Sequence, residues 1–95
     1  MGNFISISCR VNGRVQGVGF RRFVQKLGQQ HQIGGWVKNN FDGSVSFEAR
    51  GSEEQVRCFV DAVKKGSFLA RVDEIDEIKT ELLEEAPSAA FEIRY

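Results

Sequence analysis

An α+β sandwich, two helices laid on one face of an antiparallel sheet in the order βαββαβ, is the fold class this sequence predicts. Three observations carry it. Apolar residues alternate with polar ones at period two in separate short segments, as half-buried strands require. Two other segments repeat their apolar residues at i, i+3, i+4 and i+7, the stripe of an amphipathic helix. Between two of the alternating segments stands Asp42-Gly43, a strong short hairpin signal.

The elements follow in order. Ile5, Ile7, Cys9 and Val11 alternate with Ser6, Ser8 and Arg10 as a first strand, and Gly13 to Gly19 reads as a glycine-punctuated loop. Phe20, Phe23, Val24 and Leu27 define a first helix. Gly28 either caps that helix or sits inside it at about 1 kcal/mol while the helix runs on toward His31. Ile33 to Asn39 forms a second strand and Ser44 to Gly51 a third. Ser52 to Gln55 has the form of a capping box, Val56, Phe59, Val60 and Val63 keep helical spacing, and Gly66 is a C-cap. Beyond it, Val72, Ile75 and Ile78 show no clean period, and Leu82 to Ala90 reads as a connection around Pro87. Phe91, Ile93 and Tyr95 alternate as a closing strand. The order is that of the ferredoxin-like, split βαβ sandwich. In such a unit the first two strands run parallel with another strand between them, so their C-terminal ends share one sheet edge. The glycine loop and Asn39 are therefore expected to meet.

Ninety-five residues with 41% hydrophobic content suit one domain spanning 1–95. No apolar run approaches the roughly 20 residues of a membrane span, and no signal-peptide pattern opens the chain, so a soluble, cytoplasmic protein is expected. Nothing in the sequence suggests an obligate dimer, and a monomer is expected. Met1-Gly2-Asn3-Phe4-Ile5-Ser6 fits the loose N-myristoylation pattern, but Ile5 already belongs to a strand and leaves no free tether. The net charge is zero yet unevenly spread. Residues 1–41 hold no Asp or Glu but carry Arg10, Arg14, Arg21, Arg22, Lys26 and Lys38, and all 13 acidic residues come from Asp42 onward. A neutral total argues against a general nucleic-acid binder. An acid-free, Arg-bearing half argues for a local anion site and against carboxylate-ligated metal there. Cys9 reads as a buried strand residue and Cys58 as an exposed one, and a disulfide between them is not expected. A cysteine-phosphatase loop sets Arg six positions after its nucleophile. Cys9 is followed by Arg14, one short, and position 64 is Lys64, so cysteine catalysis is set aside.

The chemistry concentrates in Val15-Gln16-Gly17-Val18-Gly19-Phe20-Arg21-Arg22. Glycines at 17 and 19 permit backbone turns that aim successive N–H groups inward as an anion nest. The helix starting near Phe20 points its unpaired N–H groups and positive dipole end to the same place. Arg21 and Arg22 in that first turn are disfavoured by the dipole by several tenths of a kcal/mol unless an anion lies between. A dinucleotide fingerprint would need glycine at position 22, and a P-loop would need Gly-Lys-Ser/Thr; neither is present. The plainer alternative is a tight strand-to-helix turn with solvated arginines.

Gly13-Arg14-Val15-Gln16-Gly17-Val18-Gly19-Phe20-Arg21 resembles the first signature of the acylphosphatase family at every specified position. Gly35 to Gly51, GWVKNNFDGSVSFEARG, resembles the second, and the likeness extends to the closing FEIRY. The resemblance implies a metal- and cofactor-free hydrolase of acyl phosphates. It implies Arg21 as phosphate-binding arginine, Asn39 as the residue orienting the attacking water, and backbone donors from Gln16, Gly17, Val18, Gly19 and Phe20. His31-Gln32 departs from the family's usual Leu-Gly, which bears on the end of the helix and not on the site.

The residues suit that reaction on their own terms. A carboxylate leaving group, with a conjugate acid of pKa about 4, departs unprotonated, so no resident acid is needed. Asp42 reads more simply as a turn residue and His31 as a solvated partner of the helix end. Trp36 and Lys38 share the face opposite Val37, open to two readings: substrate access or plain surface. An RNA-recognition module on the same fold order would want aromatics facing outward from the third strand. SVSFEAR instead turns Phe47 inward and Glu48 outward. A non-catalytic small-anion binder is the other alternative.

Overall fold

The computed structural model describes residues 3–95. Strands β1 (Phe4–Arg14), β2 (Gly34–Asn39), β3 (Val45–Ser52), β4 (Arg71–Leu83) and β5 (Phe91–Arg94) join helices α1 (Phe20–Gln30) and α2 (Glu53–Lys65). The sheet order is β4-β1-β3-β2-β5. β3 pairs antiparallel with both β1 and β2, so β1 and β2 run the same way with β3 between them, as the split βαβ order requires. Met1 and Gly2, on which the myristoylation pattern rests, lie outside the described residues.

Alternation puts Ile5, Ile7, Cys9 and Val11 of β1 and Val45, Phe47 and Ala49 of β3 on one face, fully buried. α1 contributes Phe20 and Val24, and α2 contributes Val56, Phe59 and Val63, to the same core. At its centre Phe59 meets Phe47 edge-on at 5.5 Å between ring centroids and Phe91 at the same separation. The opposite face is polar. There Glu48 accepts from Trp36 Nε1 at 2.9 Å, from Arg50 at 3.0 Å and from Ser6 Oγ at 3.2 Å. Phe47 is buried, so β3 offers no outward aromatic platform for RNA bases.

Three expectations are corrected. The sheet is mixed, because β5 lies parallel to β2 in the register Gly35↔Phe91 to Lys38↔Arg94. The aperiodic stretch after Gly66 is a 13-residue edge strand, β4, which pairs along the whole of β1. Its register shifts opposite Ser8/Cys9 and Asn12/Gly13 break the period-two rule, so Val72 and Ile75 pack against the core although three residues apart. β1 itself runs on through Gly13 and Arg14, which pair with Val72 and Arg71, so the loop proper begins at Val15.

α1 passes through Gly28 and ends at His31, which serves as C-cap. Glycine is tolerated inside the helix because Phe91 occupies the space a Cβ would need. His31 packs edge-on to Phe59 at 6.2 Å between centroids, so it is a packing partner more than a solvated one. α2 is capped as expected: Ser52 Oγ accepts from Gln55 N at 3.2 Å, and Gly66, at φ 72°, closes the C-terminus.

Gly28→Ala is expected to destabilise the fold by about 1–2 kcal/mol in urea, the overpacking cost exceeding the helix-propensity gain of about 1 kcal/mol. A stabilised variant would show that Phe91 does not fill that space. Burial pushes the Cys9 thiol up to about 12, whereas Cys58 is exposed. Native protein at pH 8 should therefore titrate one thiol with an aromatic disulfide reagent and two after unfolding. Fast reaction of both would overturn the packing of Cys9.

Candidate active site

The loop after β1 turns on two glycines. Gly17 and Gly19 both adopt φ 74°, a left-handed conformation that side chains resist, although each Cβ position is open space. The requirement is thus conformational. Gly19 is the N-cap of α1, supplies no side-chain cap bond, and is followed by a first turn without an acid. The first intrahelical bond here runs from Phe23 N to Gly19 O at 3.1 Å, leaving the N–H groups of Phe20, Arg21 and Arg22 with no partner inside the helix.

Asn39 ends β2 at the same sheet edge. Its Oδ1 is buried and has no hydrogen-bond partner among the described residues. The hairpin beyond it is closely tied. Asn40 Nδ2 donates to Ser44 Oγ at 2.9 Å and to Ser46 Oγ at 2.8 Å, and Asn40 N bonds Ser44 O at 2.9 Å. Gln16 fastens the glycine loop to this hairpin: its Nε2 donates to Asn40 O at 2.7 Å and to Ser44 O at 2.8 Å. Two carbonyl acceptors fix which end of the amide faces them.

Gly17, Gly19, Phe20, Arg21 and Asn39 line one cleft of about 170 Å³, together with Val15, Arg22, Ile93 and Tyr95. Of the residues expected to bind phosphate, Gln16 sends its side chain to the hairpin carbonyls, and Val18 packs against the core. Arg21 is placed from the side: its guanidinium lies 4.7 Å from the centroid of the Tyr95 ring, and its NH1 donates to Arg94 O at 3.4 Å. Ile93 and Tyr95 could not have been assigned from the sequence, because the parallel docking of β5 on β2 leaves no local signal.

The rival groups fall elsewhere. Asp42 stays in the turn, where its Oδ1 accepts from Ser44 Oγ at 2.6 Å and Ser44 N at 2.9 Å. These bonds, the hydroxyl first, hold its carboxyl below the usual carboxylate range. Trp36 lies on the polar face under the Arg94 guanidinium, 4.9 Å away, and Lys38 is exposed beside it; neither lines the cleft. Among the described residues no three His, Cys, Asp or Glu side chains cluster as metal ligands. Among the described residues no helix is long and apolar enough to cross a membrane.

The cleft gathers backbone N–H groups at a helix start, one stacked arginine and one buried amide oxygen on a ferredoxin-like sandwich. The family model described as acylphosphatase matches residues 7–93. An acylphosphatase of Oceanobacillus iheyensis is 44% identical over 90 residues, covering 94% of this chain and 97% of the relative. One of Bacillus licheniformis is 45% identical over 74 residues, covering 78% and 82%. The crystal structure of acylphosphatase from Bacillus subtilis superposes with a TM-score of 0.86 at 41% identity, covering 96% of this chain and 99% of that one. The chain belongs to the acylphosphatase family.

Gln16→Ala should cost about 2 kcal/mol of stability, for two hydrogen bonds of roughly 1 kcal/mol each. Gln16→Glu should cost more at pH 7, since a carboxylate would face two carbonyl oxygens, and less near pH 4, where the protonated acid can donate. Urea midpoints at the two pH values, each referred to wild type, check this. A Glu variant as stable as wild type at pH 7 would dissolve the proposed fastening.

Proposed function

We propose that this chain hydrolyses the carboxyl–phosphate bond of acyl phosphates by in-line attack of a water that Asn39 orients. The observation that carries the reading is the Asn39 Oδ1, buried without a partner among the described residues at a cleft it shares with Arg21 and the start of α1. A buried acceptor left unpaired costs about 1–3 kcal/mol, a cost that a donating water removes.

The phosphoryl group sits against the N–H groups of the loop from Gln16 to Phe20, and the planar Arg21 guanidinium spans two of its oxygens. The water oxygen bonds phosphorus as the phosphorus–acyl oxygen bond breaks, and the carboxylate leaves with the electron pair. The water's proton passes to a phosphoryl oxygen, giving inorganic phosphate and a free carboxylate. Positioning and charge stabilisation supply most of the rate in so loose a transition state. Among the described residues no Asp, Glu or His lines the cleft, so no carboxylic acid or imidazolium stands ready to protonate an alkoxide leaving group. The mechanism uses neither metal nor cofactor. The reading is of a cytoplasmic monomer acting on a diffusing small molecule.

A generic acyl phosphate should be turned over, a phosphate monoester hardly at all, and a chelator should change nothing. Arg21→Ala should weaken competitive inhibition by inorganic phosphate by about 1.5–3 kcal/mol and also lower turnover. Asn39→Ala should leave phosphate affinity nearly intact while cutting kcat heavily, since it holds water and not substrate. Asp42→Ala should have little effect. Near-normal kcat in a folded Asn39→Ala protein, or its abolition in Asp42→Ala, would sink the assignment.

A further inference from the structure

The lining of the cleft divides by exposure. Val15 and Phe20 are buried, and Arg21, Asn39 and Ile93 are half-buried. Apart from the two glycines, the exposed lining residues are Arg22 and Tyr95. If the phosphoryl group occupies the N–H-bearing floor, as the proposed function has it, the acyl group must extend outward toward this rim. It there meets one aromatic ring and one guanidinium.

Arg22 has no other claim on it. Arg21 is stacked on Tyr95 and bonded to the Arg94 carbonyl. Among the described residues no carboxylate lies within ion-pair distance of Arg22, whereas Arg50, Arg57, Arg71 and Lys79 each pair with an acid. Among the described residues no Asp or Glu lines the cleft. A lone cation in the first turn of a helix is repelled by the dipole, and an anion at the rim relieves that repulsion. We infer that Arg22 is a specificity residue that favours acyl phosphates whose acyl group carries a second negative charge. The inference rests on the acyl-phosphatase reading and narrows its substrate class.

The test compares benzoyl phosphate with 3- and 4-carboxybenzoyl phosphate, whose ring carboxylates cannot reach the acyl carbon. Wild type should show a higher kcat/KM for at least one carboxylated anhydride by up to about fivefold, the upper range of one solvent-exposed ion pair. That preference should shrink as salt rises from 0.05 to 0.5 M. In Arg22→Gln the carboxylated-to-plain ratio should fall toward one, and in Arg22→Lys much of it should return. A wild-type ratio at or below one for both carboxylated anhydrides overturns the inference and needs no variant. So does a ratio that Arg22→Gln leaves unmoved, or an equal loss on all three substrates, which would place Arg22 on the phosphoryl group. No turnover of any of the three overturns the acyl-phosphatase reading itself, whereas turnover without preference overturns this inference alone.

Discussion

Val45 pairs with Val11 of β1 on one side and with Asn39 of β2 on the other. That double pairing sets where everything else in the cleft must be. Because β3 is antiparallel to both neighbours, the ends of β1 and β2 emerge at the same edge, one carrying into the glycine loop and one ending on Asn39. Hydrophobic alternation on β3 locks the arrangement: Val45, Phe47 and Ala49 are all buried, and a slip of one residue would turn Ser46, Glu48 and Arg50 into the core. Gln16 then spans the remaining gap, so the loop cannot drift from the hairpin without breaking two bonds.

The two helices show how differently a helix start can be finished. α2 begins on Ser52, whose hydroxyl accepts from Gln55 N, and has Glu53 and Glu54 in the first turn and Lys64 and Lys65 in the last, each complementing the dipole. α1 begins on a left-handed glycine with no side-chain cap and has arginines where acids would be favourable. Local stability alone would finish α1 as α2 is finished. The departure makes sense where donors and positive charge are reserved for an anion, a local cost that the well-packed Phe20 and Val24 below can bear.

What could be read from the residues, and what could not, divides along the same physical line. Alternation, helical spacing and the Asp42-Gly43 turn revealed six of the seven elements, since each of these is half-buried or capped by its own side chains. The topology rule then brought Asn39 to the glycine loop. β4 was missed because it is an edge strand, exposed along most of its length, and its bulges break the period that marks a strand. The direction of β5, and with it the Tyr95 stack on Arg21, depends on a long-range pairing with β2 that no local pattern encodes. Gln16 was legible as part of a loop but not as its fastener, because its two partners lie 24 and 28 residues away.

Zero net charge and a cationic cleft coexist because the fold separates the signs. Asp73, Glu74, Asp76, Glu77 and Glu81 ride on β4, at the far edge from β2. Three inter-strand spacings put them roughly 14 Å from the strand that ends in Asn39, beyond the Debye length of about 8 Å at physiological salt, so their field is largely screened at that strand. β1, whose end carries into the loop, lies a single spacing from them. Several are also neutralised in place, Asp73 by Arg71, Glu77 by Arg57 and Glu81 by Lys79. Glu92 sits on β5, nearer the site, but alternates with the core-facing Phe91 and Ile93 and so belongs to the opposite face of the sheet. Asp42 is nearest in sequence, and its carboxylate is occupied by Ser44. The unopposed charges around the cleft are therefore the helix start, Arg21 and Arg22. A carboxylate placed among them would draw the same donors to itself. A reaction whose leaving group departs as an anion needs no such acid, and so the chemistry and the charge layout impose the same exclusion.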